Sequence, residues 1–253
     1  MPRFDHGTSR IHFDDTGTGE TVLLLPGFSD SIDNHAPLRT ALTQRYRVIA
    51  ADLPGSGRSD PQPRPYHPHY YEEDATSFLV LLQERDAPPA HVLGYSDGGE
   101  VALLMAILAP KSVRSVLTWG ASGHIEDPGG HICAAFRNIV DHPIPEMQTY
   151  RDDLVAAYGA GIARATTQSF ADNLADMVAA GGDICRNRAD QIRCPVLLMV
   201  GQHDPFVTKP LVDALSRRIL SSEVMEVAGA GHGVHEHQPE RFSRAVLDWL
   251  SKH

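Results

Sequence analysis

Cysteine is scarce in this sequence, with only Cys133, Cys185 and Cys194 among 253 residues. They form no C-x-x-C pair and no even set, which excludes a disulfide framework and a cysteine-rich zinc site. Buried thiols in a reducing compartment are the expectation. Basic charge is also short: 22 Lys and Arg face 32 Asp and Glu, a formal net charge of −10. Phosphate-rich partners need basic patches, so neither nucleic acid nor an anionic membrane surface is expected. Long apolar runs are missing as well. The longest, such as VALLMAILA, fall far short of the ~20 residues that span a bilayer. The opening MPRFDHGTSR lacks the apolar stretch of a signal peptide. The expected location is the cytoplasm.

Enough apolar material remains for one large core. Hydrophobic residues make up 42% of the chain, and at this length a core needs no staples. The segment RIHFDDTG alternates and ends in turn residues, so it reads as an early strand of a hairpin. Short apolar runs follow in TVLLLPG, YRVIAADLPGSGRSD, AHVLGYS, VRSVLTWGA, CPVLLMVGQHD and SSEVMEVAGAGH. Continuous rather than alternating runs suit a mostly parallel sheet covered on both faces. Helical patterns lie between them at Pro37–Arg45, Glu72–Glu84, GGEVALLMAILA, Thr208–Leu220 and Pro239–Leu250. Strand–helix alternation makes this an α/β protein, with functional residues expected outside the carboxyl ends of the strands.

From 122 to 190 the strand pattern stops. A Gly/Pro/His loop is followed by three helical stretches, ICAAFRNIV, MQTYRDDLVAAYG and ARATTQSFADNLADMVAAG. The expectation is a core of residues 1–121 and 191–253 with a helical cap, 122–190, inserted between two core strands. Phe136, Tyr150, Tyr158, Phe170 and Met177 are candidates for the cap's underside, and equally for its own small core.

The stretch HVLGYSDGGE sets Ser96 between Gly94 and Gly98 where an apolar strand runs straight into a helix. Such a sharp turn exposes the hydroxyl above the sheet and aims a helix amino terminus at it. A serine needs a base to become a nucleophile. His232, in GAGHG just after the last expected strand, is the candidate among 14 histidines. Its neighbours His235 and His237 match neither an H-E-x-x-H helix nor a closed zinc site, so no metal and no cofactor are expected. The base needs an orienting carboxylate. Asp204 follows the strand VLLMV and precedes Pro205, as a loop acid should. Glu126 and Asp127 are the competitors, and Asp52 is read as fixing its own loop. The oxyanion donors are expected to be the backbone N–H groups of Phe28 and Asp97. The Asp97 side chain has two open roles: bracing the turn, or binding a cation in the substrate.

The set LLLPGF, DLPGSGRS, GYSDGG, GQHDPFV and GAGH resembles the α/β-hydrolase superfamily over nearly the whole chain. The order Ser96, Asp204, His232 is that family's triad order. GYSDGG is similar to the elbow of the valacyclovir hydrolase, or biphenyl hydrolase-like, group. That resemblance implies recognition of the α-amino group of aminoacyl esters by Asp97. The His-Gly usual before the oxyanion loop is Pro26-Gly27 here, which leaves backbone donors available. Ser96 argues against dehalogenase or epoxide hydrolase chemistry, which uses an aspartate. The expected function is hydrolysis of small carboxylic esters through an acyl-enzyme, with aminoacyl esters one option. Lactone hydrolysis and C–C cleavage of a vinylogous diketone compete with it, as does a non-enzymatic small-molecule receptor on the same fold. A monomer or homodimer is expected.

Overall fold

The computed structural model describes residues 2–87 and 89–253; Met1 and Pro88, both inside the expected core segment, lie outside the described residues. The strands are β1 (Arg3–His6), β2 (Ser9–Thr16), β3 (Thr21–Leu25), β4 (Arg47–Ala51), β5 (Ala90–Tyr95), β6 (Val113–Trp119), β7 (Val196–Gly201) and β8 (Ser222–Val227). They form one 8-stranded sheet in the order β1-β2-β4-β3-β5-β6-β7-β8. Only β1 with β2 and β2 with β4 pair antiparallel; the other neighbours run parallel.

The apolar runs have a direct cause. In β3, Val22 and Leu24 face one core cluster while Leu23 and Leu25 face the other. Successive side chains point to opposite faces, so a strand covered on both must be apolar throughout. Each of these fully buried leucines stabilises the fold by about 1.5–3 kcal/mol relative to exposure. One face is covered by α1 (Ala36–Leu42) and α8 (Pro239–Leu250), the other by α2 (Tyr70–Glu84), α3 (Asp97–Leu108) and α6 (Lys209–Ser216).

Strand β3 lies between β4 and β5, so the chain reverses its direction of winding there. The loops after β3 and β5 lead to helices on opposite faces, α1 and α3. They part at the carboxyl ends of the strands, the usual ligand position in such sheets.

Residues 122–190 contain α4 (His131–Asn138), α5 (Gln148–Ala179) and short 3-10 turns at Pro145–Met147 and Arg186–Gln191. The two helices expected between Met147 and Gly181 are present as two arms of α5 that meet at Gly159, where the first expected stretch ends; its φ of 74° and ψ of 149° break the helical path. Ile139, Met147, Leu154 and Ala163 make a small separate cluster, whereas Phe170, Leu174 and Met177 join the main core. The helix expected over Thr208–Leu220 ends at Ser216. The chain there must turn back to pair Ser222 with Val196, which leaves Leu220 89% exposed. Among the described residues no helix is long and apolar enough to cross a membrane.

Candidate active site

Ser96 stands between β5 and α3 with a φ of 50° and ψ of −118°. This is a left-handed backbone that a non-glycine residue adopts only under constraint. The constraint is close packing. A Cβ on Gly94 would meet the Gly98 carbonyl oxygen at 2.2 Å, and one on Gly98 would meet the Pro26 oxygen at 2.3 Å. The Ser96 N–H donates to the Trp119 carbonyl at 2.9 Å, which ties the turn to the end of β6.

Three expected residues converge. Ser96 Oγ lies 3.0 Å from His232 Nε2. His232 Nδ1 lies 2.8 Å from Asp204 Oδ2. The other Asp204 oxygen accepts the Phe206 and Val207 N–H groups, each at 2.9 Å. These bonds fix the buried carboxylate, and the bond from the His203 N–H to the Ala230 carbonyl at 2.8 Å ties its loop to that of His232. Glu126 and Asp127 are engaged elsewhere. Glu126 lies 3.6 Å from His124. Asp127 accepts the Ile132 and Cys133 N–H groups at 2.9 Å, in the first turn of α4. Asp52 accepts the Ile32 N–H at 2.8 Å and the Arg58 N–H at 2.9 Å, so it fastens the loop after β3 to its own.

The neighbouring histidines are separately engaged. Trp119 Nε1 donates to His235 Nδ1 at 3.1 Å, and the Gly231 N–H donates to His237 Nδ1 at 3.0 Å. Burial, with the nearby His35, drives His235 toward its neutral form. His35 stacks on His235 with ring centroids 4.7 Å apart, and its Nε2 lies 2.7 Å from Asp30 Oδ2. A packed layer of His35, His235 and Trp119 thus lies beside the His232 loop.

Phe28 packs at the centre of an aromatic group. Phe170 stacks on it at 3.8 Å between centroids, and Tyr66 and Phe136 approach at 5.7 and 5.8 Å. Phe206 bridges this group to His232, 6.0 Å from Phe136 and 5.1 Å from the imidazole. Among the described residues, the Phe28 and Asp97 N–H groups donate to no protein acceptor outside regular helix and strand bonding.

The expected lining residues divide. Phe136 and Phe170 belong to the aromatic group, whereas Tyr150 and Tyr158 reach the loop after β3 with their hydroxyls, at Phe28 O (3.3 Å) and Ser29 O (3.1 Å). Met177 lines a separate cavity of about 300 Å³ beside Tyr71 and Leu104, and neither Ser96, Asp204 nor His232 lines it.

Asp97 is buried, and its carboxylate accepts the Tyr71 hydroxyl at 2.9 Å and the Tyr70 hydroxyl at 3.2 Å. Burial pushes it up to about 6, against the downward pull of these two hydrogen bonds. The nearby Arg64 is spent on a two-armed pair with Asp74 at 2.8 and 2.6 Å. Glu100, one helical turn further along α3, accepts the Ser122 and Gly123 N–H groups where the chain leaves β6. Burial raises it to about 8. Tyr70, Tyr71, Phe206 and Glu100 escape a reading of the sequence. Phe206 alone had a signal, being two residues from Asp204.

Residues 22–245 match the family model described as the alpha/beta hydrolase family. The chain belongs to that family. It is 28% identical to the serine hydrolase BPHL of Mus musculus, over 95% of this chain and 82% of that one. It is 25% identical, over 95% of this chain and 90% of the relative, to the 2-hydroxy-6-oxononadienedioate/2-hydroxy-6-oxononatrienedioate hydrolase of Cupriavidus pinatubonensis. The solved enol-lactonase from Burkholderia xenovorans superposes with a TM-score of 0.76 at 20% identity, covering 99% of this chain and 100% of that one. Family and relatives together make this protein a hydrolase.

Proposed function

We propose that the protein is a serine hydrolase that cleaves small carboxylic esters through an acyl-enzyme on Ser96. The observation that carries this is the unbroken relay from Ser96 Oγ through the His232 ring to Asp204, at 3.0 and 2.8 Å. In this reading Asp204 accepts the Nδ1–H of His232 and leaves Nε2 free to accept the serine proton. As Oγ attacks the ester carbonyl, that proton moves to Nε2 and the carbonyl electrons move to oxygen. The oxyanion is met by the Phe28 and Asp97 N–H groups. Collapse expels the alkoxide, which takes the proton from Nε2. Water then attacks the acyl group, gives its proton to Nε2, and the acid departs as Ser96 regains it. Residues 122–190 serve as a cap, with Phe136, Phe170 and Phe206 supplying an apolar acyl site.

The finer reading is an α-aminoacyl group. Asp97 is a buried carboxylate whose two hydrogen-bond partners are neutral hydroxyls, and burial raises its pKa to about 6. A substrate ammonium would give it a cationic partner. The relatedness to BPHL supports this choice. C–C bond hydrolysis is the second reading, supported by the similarity to the Cupriavidus dienedioate hydrolase. The test is labelling with a fluorophosphonate, then turnover of p-nitrophenyl esters against an unsaturated diketone. Labelling in wild type and none in Ser96→Ala is expected, with ester turnover dominant. Undiminished labelling of Ser96→Ala would remove the assignment.

A further inference from the structure

The loop after β3 does not hold its shape by its own hydrogen bonds alone. Its Ser29 has a φ of 55°, a left-handed conformation with no glycine to ease it. Such a residue stays in place only when its surroundings determine it. Here they come from the turn itself, closed by the Asp30 N–H donating to the Gly27 carbonyl at 3.2 Å, and from two other parts of the chain. The Ser29 N–H donates to Ser56 Oγ at 3.1 Å, in the loop after β4. The carbonyl of the same peptide, Phe28 O, faces the Tyr150 hydroxyl at 3.3 Å. The next carbonyl, Ser29 O, accepts the Tyr158 hydroxyl at 3.1 Å. Tyr158 is itself anchored, because its oxygen accepts the Gly57 N–H at 2.6 Å. One hydroxyl therefore joins α5, the loop after β3 and the loop after β4.

Both tyrosines lie in the part of α5 that precedes its break. Tyr158 is followed at once by Gly159, whose φ of 74° and ψ of 149° belong to a region reserved for glycine. A Cβ there would meet nothing within 4 Å, so the glycine serves a change of direction rather than a close approach. Downstream of the break, Phe170, Leu174 and Met177 are fixed in the main core. The upstream part touches the loop through these hydroxyls, and Tyr150 also packs on Phe136 of α4 with ring centroids 6.4 Å apart.

We propose that Tyr158, assisted by Tyr150, is a positioning residue for the oxyanion hole, so that the Phe28 N–H is correctly aimed only while the upstream half of α5 is seated. This rests on the reading of Ser96 as nucleophile and Phe28 as oxyanion donor. The two tyrosines touch no reacting atom; they turn the peptides that follow the donor. The segment 122–190 then completes the catalytic machinery as well as covering it, and chemistry waits on its closure.

The test compares wild type, Tyr158→Phe, Tyr150→Phe and the double variant, with Gly159→Ala as a separate arm. Removing an oxyanion donor outright costs about 10²–10³-fold in kcat; a donor merely loosened should cost less, on the order of tenfold in Tyr158→Phe, with KM within about twofold. The discriminating readout is inhibition. A trifluoromethyl ketone adds to Ser96 as a hemiketal whose oxyanion sits in the hole, whereas the carboxylic acid product binds without forming one. Binding of the ketone should weaken in parallel with kcat/KM, while product affinity stays unchanged. The double variant should lose most, and Gly159→Ala should resemble Tyr158→Phe. Wild-type kcat and ketone affinity in the double variant would overturn the proposal. So would equal weakening of ketone and product, which signals damaged packing. Fluorophosphonate labelling of Ser96→Ala separates the two failures: if it persists, the nucleophile assignment itself is wrong.

Discussion

The Tyr71 hydroxyl donates at 2.9 Å to the carboxylate of Asp97, the residue directly after the nucleophile candidate Ser96. With Tyr70 it holds an acidic group in place without neutralising it. An α-aminoacyl ester should therefore outperform its des-amino analogue in kcat/KM by about 10–100-fold, the range of a charge-assisted hydrogen bond. Asp97→Asn should bring that ratio close to one while sparing the neutral ester. Because Asp97 ionises near pH 6 in the free protein, the preference should grow as pH rises through that value and fade below it. Equal slowing of both esters by Asp97→Asn, at every pH, would make the residue a brace.

Asp204 reaches His232 through one oxygen and two backbone N–H groups through the other. Asp204→Asn should lower kcat by roughly 10⁴-fold by presenting the wrong partner to Nδ1, with little change in KM. Steady-state kinetics on one p-nitrophenyl ester decide it. A loss below tenfold would mean that another group orients the imidazole.

Glu100 sets a pH signature for stability. In the folded protein it holds its proton up to about pH 8, whereas its ordinary value is 4.5. Between these values the folded state binds more protons than the unfolded chain, so stability should decline as pH rises through that window. Asp97 adds a smaller decline between 3.8 and about 6. Urea denaturation at pH 5, 7 and 9 should show the trend, and Glu100→Gln should flatten it above pH 6. A wild-type midpoint that does not move would refute the burial argument.

Phe206 stands between His232 and Phe136. Phe206→Leu should shift acyl-chain preference, by about 1–3 kcal/mol per methylene sensed, and leave fluorophosphonate labelling intact. Competition between acetyl, butyryl and hexanoyl esters measures it. A uniform loss across the series would place the ring outside the acyl site.

Much was legible before any fold was known. The parallel sheet followed from runs such as TVLLL and VLLMV, because only strands buried on both faces are apolar throughout. The Ser96 turn was legible because glycines at positions 94 and 98 mark a tight turn, although only Gly94 is demanded within the turn itself and Gly98 is demanded by the Pro26 carbonyl after β3. Asp204 and His232 lay just past apolar runs, and strand ends are where such a sheet gathers its side chains. These are local rules, satisfied within about a dozen residues of chain. What no local rule could supply is the meeting of distant segments. Tyr71 with Asp97, Tyr158 with Ser29 and Gly57, and Phe206 with Phe136 are separated by 26 or more residues. Their pairing depends on how α2, α5 and the loops after the strands pack, and on the direction in which the two arms of α5 part at Gly159. The sequence alone determined the sheet, the elbow and the three side chains above it. Tertiary packing decided what surrounds them, because a hydroxyl or a ring acquires its partner only when elements remote along the chain are brought to one face.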